Sequence, residues 1–431
     1  MEQEEDRVAA KIAWRLLPLV ILLYLVAYID RQNVSFAKLQ MLGSLHMSEV
    51  AYGFGASLFF IGYLIFEVPS NIALYKVGAR RWIARIMITW GLVTVALAWT
   101  QSALMFYILR FLLGAAEAGL YPGIIFYLTL WFPRRHRVQV LGYFTLGSSL
   151  GNMLGALING LFLGLNGVAG LQGWQWVFLA TGIPPVVLTF VTLRYLPETP
   201  REASFLSESE KHTILAALQR DAPKVEVHGN PLAVLVQGRI FVLAFFYMMV
   251  SMSIYGIGYW LPTVVRSFGV SSMSNGLLNM VPWFLASLML LWLPGKLKDQ
   301  GAVLSCVGVG VVLGIACFVV STTASSAVLR LCALAIGAPC LYIMIPCFWS
   351  VPPRLLHGVQ AASGIAAINS LGNLGGFFGQ NAMPWVQHAT GSVSAPMLVP
   401  AGCLAVLGVG AIIAWRVFGT ERTAVAGVPA R

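Results

Sequence analysis

Long apolar stretches separated by short polar and basic segments recur along the chain. They lie near residues 16–36, 51–74, 83–101, 103–131, 139–165, 175–196, 239–264, 275–295, 302–321, 327–351, 359–386 and 396–417. About 20 apolar residues of helix cross a hydrocarbon layer roughly 30 Å thick. The pattern therefore predicts twelve membrane-spanning helices. The polar connections are unequal in charge. With the N-terminus inside, one side collects Lys76, Arg80, Arg81 and Arg85, then Arg134, Arg135 and Arg137, then Lys296 and Lys298. The other side has Lys38, Arg266 and Arg330. Basic residues accumulate on the cytoplasmic side of membrane proteins, so both termini are expected in the cytoplasm of a multi-pass inner-membrane protein.

The longest polar segment, Pro197 to Gly238, splits the spans six and six. It predicts an N-terminal six-helix bundle over 1–196, a cytoplasmic linker over 197–238 and a C-terminal six-helix bundle over 239–431. An internal repeat supports two like halves. At a constant offset of 221, His136, Val138 and Gln139 fall on His357, Val359 and Gln360. Ser149-Leu150-Gly151-Asn152 falls on the identical Ser370-Leu371-Gly372-Asn373, and Gly155 falls on Gly376. Such parallel repeats mark transporters built from two six-helix halves. Glycines at helical spacing, among them Gly147, Gly151 and Gly155 in the fifth span and Gly372, Gly376 and Gly379 in the eleventh, allow close helix approach.

Composition changes the picture little. The chain is 58% hydrophobic and 10% charged, with mean hydropathy +0.80, which excludes a soluble domain of 431 residues. The net charge of +11 is a topology bias, so no nucleic-acid partner is expected. Six cysteines sit in apolar runs without metal-ligand spacing and read as packing residues. The six histidines form no metal motif, and no Walker-type loop is present, so no metal and no nucleotide cofactor is expected. Met1 to Arg15 is charged and mixed, without the form of a cleavable leader.

Ionisable residues inside the spans carry the candidate chemistry, because a charge at mid-bilayer costs several kcal/mol, roughly, and is kept for work. The N-terminal half has Asp30, Arg31, Glu67, Arg110 and Glu117; the C-terminal half has essentially none, and offers Tyr259, Trp349, Asn369 and Asn373 instead. Arg110 and Glu117 are seven residues apart in the fourth span, two turns along one helical face. They read either as an ion pair locking helices or as a functional pair, and Asp30-Arg31 as a second pair favours function. Glu67 reads as structural; Lys38 and Glu49 are expected beyond the bilayer. A guanidinium fork fits a carboxylate, and a buried acid exchanges protons when a neighbouring arginine is neutralised. Anion entry would thus favour proton uptake.

At Tyr28-Ile29-Asp30-Arg31-Gln32-Asn33-Val34, Phe66-Glu67-Val68-Pro69-Ser70-Asn71, Val77 through Trp82, Arg110 through Gly123, Tyr259-Trp260-Leu261-Pro262 and Asn369 through Gly376, the chain resembles the major facilitator superfamily, and within it the anion:cation symporter family. The resemblance implies an all-α membrane protein of twelve helices in two pseudo-symmetric halves. It implies proton-driven import, by alternating access, of a small organic anion such as tartrate, a sugar acid or an aromatic acid, by a monomer with the proton as coupling ion. Carried over by position, Asp30 and Glu117 look like proton sites and Arg31 and Arg110 like their coupled partners, one of which meets substrate. Tyr28, Tyr63, Ser148, Trp349 and Asn369 look like cavity-lining contacts. Tyr75 stands where the superfamily's loop motif has an acid, and Ser148 stands where sugar-acid carriers have a longer amide. Two other readings are a proton-driven exporter of amphipathic compounds and a transporter-like carboxylate receptor. None of the three is an enzyme.

Overall fold

The computed structural model describes residues 2–221, 237–293, 300–352 and 359–426. Regular structure among them is helical throughout. The helices are α1 (Glu2–Ser44), α2 (Glu49–Val77), α3 (Ala79–Leu97), α4 (Ala103–Glu117), α5 (Leu120–Thr129), α6 (Arg134–Leu163), α7 (Gly173–Tyr195) and α8 (Glu208–Arg220). They continue with α9 (Gly238–Arg266), α10 (Ser272–Trp292), α11 (Gln300–Thr323), α12 (Ala327–Trp349), α13 (Val359–Thr390) and α14 (Leu398–Ala426). The basic loop Gly295 to Asp299, the repeat residue His357 and the linker around Pro223 and Pro231 lie outside the described residues.

Local chemistry sets the helix starts. Ser48 and Ser102 cap α2 and α4 by accepting the N–H of Ala51 and Met105, which satisfies donors a helix start leaves open. Ser207 and Glu210 form a reciprocal capping box on α8. Ten helical segments among the described residues are long and apolar enough to cross a membrane, with α4 and α5 together making one of them. The twelve-span reading is completed by α3, which opens with Arg80, Arg81 and Arg85, and by α13, rich in glycine, serine and amides.

The fourth span, expected over 103–131 with Pro122 as a kink just beyond Glu117, is broken a few residues before that proline. It stops at Glu117, turns through Ala118 (ψ 131°) and Gly119 (φ +88°), and resumes as α5. A side chain at Gly119 would be strained by this φ and would also meet the Ser70 hydroxyl. That hydroxyl donates to the Ala118 carbonyl freed by the break (2.6 Å) and accepts from the Trp82 indole N–H (3.0 Å). Pro122 sits in the first turn of α5, where its missing N–H costs nothing.

Two compact units are present: Met1–His228 with Leu261–Phe284, and Gly229–Trp260 with Leu285–Arg431. In the first, α1 packs along α6, α2 along α4, and α3 along α7. The glycine face of α6 does what its spacing predicts: Gly147 and Gly151 lie against Ile21, Tyr24, Leu25 and Tyr28 of α1, and Gly160 lies against Gly276 of α10. In the second unit the repeat holds by itself. Gly372, the counterpart of Gly151, meets Tyr247 of α9, and Gly375 meets the Met248 carbonyl. The helix α8 is tied to the start of α1 by Lys11–Glu210 (2.7 Å) and Arg220–Glu5 (2.5 Å), while Arg135 of α6 reaches Glu5 (3.0 Å) and Asp6 (2.7 Å). The Lys11 ammonium and the Ser207 N–H hold the Glu210 carboxyl below the usual carboxylate range.

The closest helix approach is α2 against α4. A Cβ on Gly114 would land on the Phe59 carbonyl, and one on Gly62 on the Phe111 carbonyl. Gly114→Ala is expected to push α4 off α2 and lower the melting temperature of the purified protein, at a cost of about 1–3 kcal/mol. Gly142→Ala, where nothing lies within 4 Å, is the control. Equal melting of the two variants would remove this contact as a determinant of the bundle.

Candidate functional site

The first unit buries a group of charges between α1, α2 and α4. Arg31 of α1 projects from the face that carries Tyr24 and Tyr28, at helical spacings of four and three. Its Nε donates to Glu117 Oε1 at 2.7 Å, and Nη2 lies 2.7 Å from the same oxygen. Glu117, the last residue of α4, is fully enclosed. Its second oxygen, Oε2, is buried and has no hydrogen-bond partner among the described residues. The guanidinium of Arg31 is ringed by Tyr28 (5.2 Å), Phe59 (5.6 Å) and Tyr63 (5.6 Å). Attraction between a cation and ring faces helps hold a charge away from water.

Arg110, almost fully buried two turns before Glu117 on α4, donates through Nε (3.3 Å) and Nη2 (2.9 Å) to the Ala56 carbonyl. It shares Phe59 with Arg31, lying 5.2 Å from that ring. The sequence pairs Arg110 with Glu117 and Asp30 with Arg31; the structure instead pairs Arg31 with Glu117. Asp30 turns to the other side of α1. It accepts from Asn33 Nδ2 (2.9 Å) and Thr94 Oγ1 (3.3 Å), and Asn33 Nδ2 also reaches Thr181 (3.0 Å). Asp30 still interacts electrostatically with Glu117 and Arg110, so the four charges form one field. Adjacent residues on a helix point about 100° apart, which is why Asp30 and Arg31 divide between neighbours.

The structure thus brings Asp30, Arg31, Arg110, Glu117, Tyr28 and Tyr63 together. Tyr24, Tyr121 and Phe144 extend the aromatic wall, with centroids 4.4–5.9 Å apart and the Tyr24 and Tyr28 hydroxyls 3.3 Å apart. Ser148 is half-buried on α6, one residue from Gly147 and three from Gly151, and spends its hydroxyl on the Thr145 carbonyl. In the second unit, Trp349 ends α12 against Tyr247 (5.0 Å), and Asn369 is half-buried on α13. Glu67 is buried on α2. Lys38 is wholly enclosed in protein and paired with Glu49 at 3.1 Å. Burying an ammonium demands a partner, and Glu49 in the first turn of α2 supplies it.

Sequence reasoning missed Phe59, shared by both arginines, and the clamp of Asn33, Thr94 and Thr181 on Asp30. Asn33 carried a usable sign, an amide one turn from a buried acid. Phe59 carried none among the surrounding phenylalanines.

Buried, mutually paired charges inside a bundle of apolar helices define a polytopic membrane carrier. The chain belongs to the Major Facilitator Superfamily, whose family model matches residues 20–380; its members are transporters and not enzymes. It is 42% identical to a quinolone resistance transporter of Acinetobacter baumannii over 92% of both chains, and 42% identical to a putative tartrate transporter of Agrobacterium vitis over 93% of both. Among solved structures it is similar to a bacterial homologue of the human lysosomal transporter Spinster in an inward-facing, unoccupied conformation. That likeness has a TM-score of 0.76 at 16% identity and covers 98% of this chain and 99% of the other.

Proposed function

We propose that the protein is a proton-coupled secondary transporter that imports a small organic anion across the bacterial inner membrane, with both termini cytoplasmic. The observation that carries this reading is the Glu117 carboxylate: one oxygen is held by Arg31 and the other is buried without a hydrogen-bond partner among the described residues. A carboxylate substrate competes with Glu117 for the Arg31 fork. Once Arg31 turns to substrate, Glu117 is an uncompensated buried charge, and protonation removes that cost. Binding anion and proton together is the coupling step; Asp30, in the same field, is the second proton site. Tyr28, Phe59 and Tyr63 around Arg31 suit a carboxylate borne on a flat or aromatic body, and tartrate, named in two relatives, is a compact dicarboxylate. Tyr28, Tyr63 and Ser148 line this side of the substrate path, and Trp349 and Asn369 line the path in the second unit.

A thermal-shift screen tests the reading. At about 100 times Kd, a ligand adds about 2.7 kcal/mol of stability, enough to raise the melting temperature by a few degrees in a protein of this size. One of tartrate, benzoate, nicotinate or a sugar acid is expected to do so, and its uncharged amide is not. Equal stabilisation by the amides would sink an anion site. The quinolone-resistance relative favours a second reading, export of amphipathic compounds. Flux in vesicles of known orientation separates the two.

A further inference from the structure

One end of the α3–α7 pair carries a basic group that the transport reading leaves unused. Lys76 precedes α3, Arg80, Arg81 and Arg85 lie in its first two turns, and Arg194 lies in the last turn of α7. The two helices run antiparallel. Gly91 meets Gly182, the Thr189 hydroxyl reaches the Ala84 carbonyl (3.5 Å), and Glu198 accepts from the Arg80 backbone N–H (3.2 Å). Arg194 therefore lies along the same stretch as Arg81 and Arg85. Glu198, the acid of this stretch, is committed to the N-terminus of α3. Among the described residues no carboxylate lies within ion-pair distance of Lys76, Arg80, Arg81, Arg85 or Arg194. The Nε atoms of Arg80 and Arg85 are buried and have no hydrogen-bond partner among the described residues. Arg85 is fixed 4.0 Å over the Trp82 ring, and Ser70 fixes Trp82 in turn.

Exposed apolar side chains lie beside these charges. On α3, Leu92 is exposed eleven residues after Arg81 and seven after Arg85, on one helical face. On α7, the exposed Ile183, Val187 and Phe190 precede Arg194 by eleven, seven and four residues, again on one face. Leu92 on α3 and the stripe of Ile183, Val187 and Phe190 on α7 thus lead to guanidinium groups at the same end of the pair. Exposed Tyr195 stands at that boundary, where aromatic side chains settle between hydrocarbon and water.

We propose that the α3–α7 end is a binding site for an anionic phospholipid. Its phosphodiester is held by Arg81, Arg85 and Arg194, with Arg80 and Lys76 adding to the field, and its acyl chains lie along Leu92, Phe190, Val187 and Ile183. A guanidinium donates to phosphate oxygens through a planar fork. A free phosphate would leave these apolar side chains unused.

The test uses the full-length protein in neutral detergent, with bound lipid read by native mass spectrometry. Phosphatidylglycerol, phosphatidylcholine and inorganic phosphate are titrated separately. Phosphatidylglycerol is expected to add one saturable mass, phosphatidylcholine to bind at least tenfold more weakly, and phosphate not to compete at millimolar concentration. Each basic residue near an anionic lipid contributes about a factor of five in affinity. Arg81→Gln/Arg85→Gln is thus expected to weaken phosphatidylglycerol roughly thirtyfold, while Arg7→Gln/Lys211→Gln, with the same charge change elsewhere, leaves it unaltered. Arg81 is exposed, so Arg81→Gln alone gives a folded variant with about fivefold weakening should the double variant not fold. Equal binding of the two lipids, displacement by phosphate, or unchanged affinity in the Arg81 variants overturns the site. None of these readouts depends on transport.

Discussion

Glu117→Gln is expected to abolish accumulation of substrate against a gradient while leaving exchange of internal for external substrate intact. The amide keeps the shape of the carboxylate and still offers Arg31 an oxygen, so the loaded carrier assembles. What it loses is the proton. A proton entering down a pH gradient of one unit is worth about 1.4 kcal/mol, which supports roughly a tenfold concentration ratio; a membrane potential adds nothing when one proton travels with a singly charged anion. In the Glu117→Gln variant that ratio should fall to about one, because nothing requires the empty carrier to give up a proton before it returns. Counterflow needs only the loaded steps and should persist. The measurement is uptake in proteoliposomes under an imposed proton gradient, followed by counterflow in the same preparation. A variant that still concentrates substrate would move the proton site elsewhere, with Asp30 the next candidate.

Much of this site was legible in the chain. Asp30, Arg31, Arg110 and Glu117 stand out because charge inside an apolar span has an energetic cost that composition alone reveals. The Ser-Leu-Gly-Asn repeat likewise needs no coordinates. Pairing was not legible. Arg110 and Glu117 share a helical face, yet the partner of Glu117 is an arginine 86 positions away, on a different helix, while Gly62 and Gly114 let α2 and α4 pack closely at Phe111 and Phe59. Which of two adjacent charges, Asp30 or Arg31, faces that neighbour depends on helix rotation, set by packing of α1 on Gly147 and Gly151. The break after Glu117 was half legible. Pro122 predicts a disturbance, but its place, at Gly119, is fixed beside the Ser70 hydroxyl on another helix. The partner of Lys38 was not legible either: its enclosure with Glu49 follows from the packing of α1 on α2.

The Arg31–Glu117 pair itself yields the second large effect. Removing one member of a buried ion pair leaves the other uncompensated, at a cost of about 3–5 kcal/mol. Arg31→Gln should therefore destabilise the protein by about that much, since Glu117 is fully enclosed and Arg31 is its ion-pair partner. Adding Glu117→Gln removes the stranded charge, so the double variant should regain most of the lost melting temperature. Transport should not return with it, because the fork that meets the substrate and the group that takes the proton are both gone. Stability and activity then separate across one cycle of four proteins: wild type, each single variant and the double. If the double variant melts as low as Arg31→Gln, the cost of losing Arg31 lies in its contacts with Tyr28, Phe59 and Tyr63 and not in the stranded carboxylate. If the double variant transports uphill, neither residue is the coupling group. A carrier that loses stability only while one charge stands alone, and loses uphill transport whenever either is missing, is holding that pair for exchange with an anion and a proton.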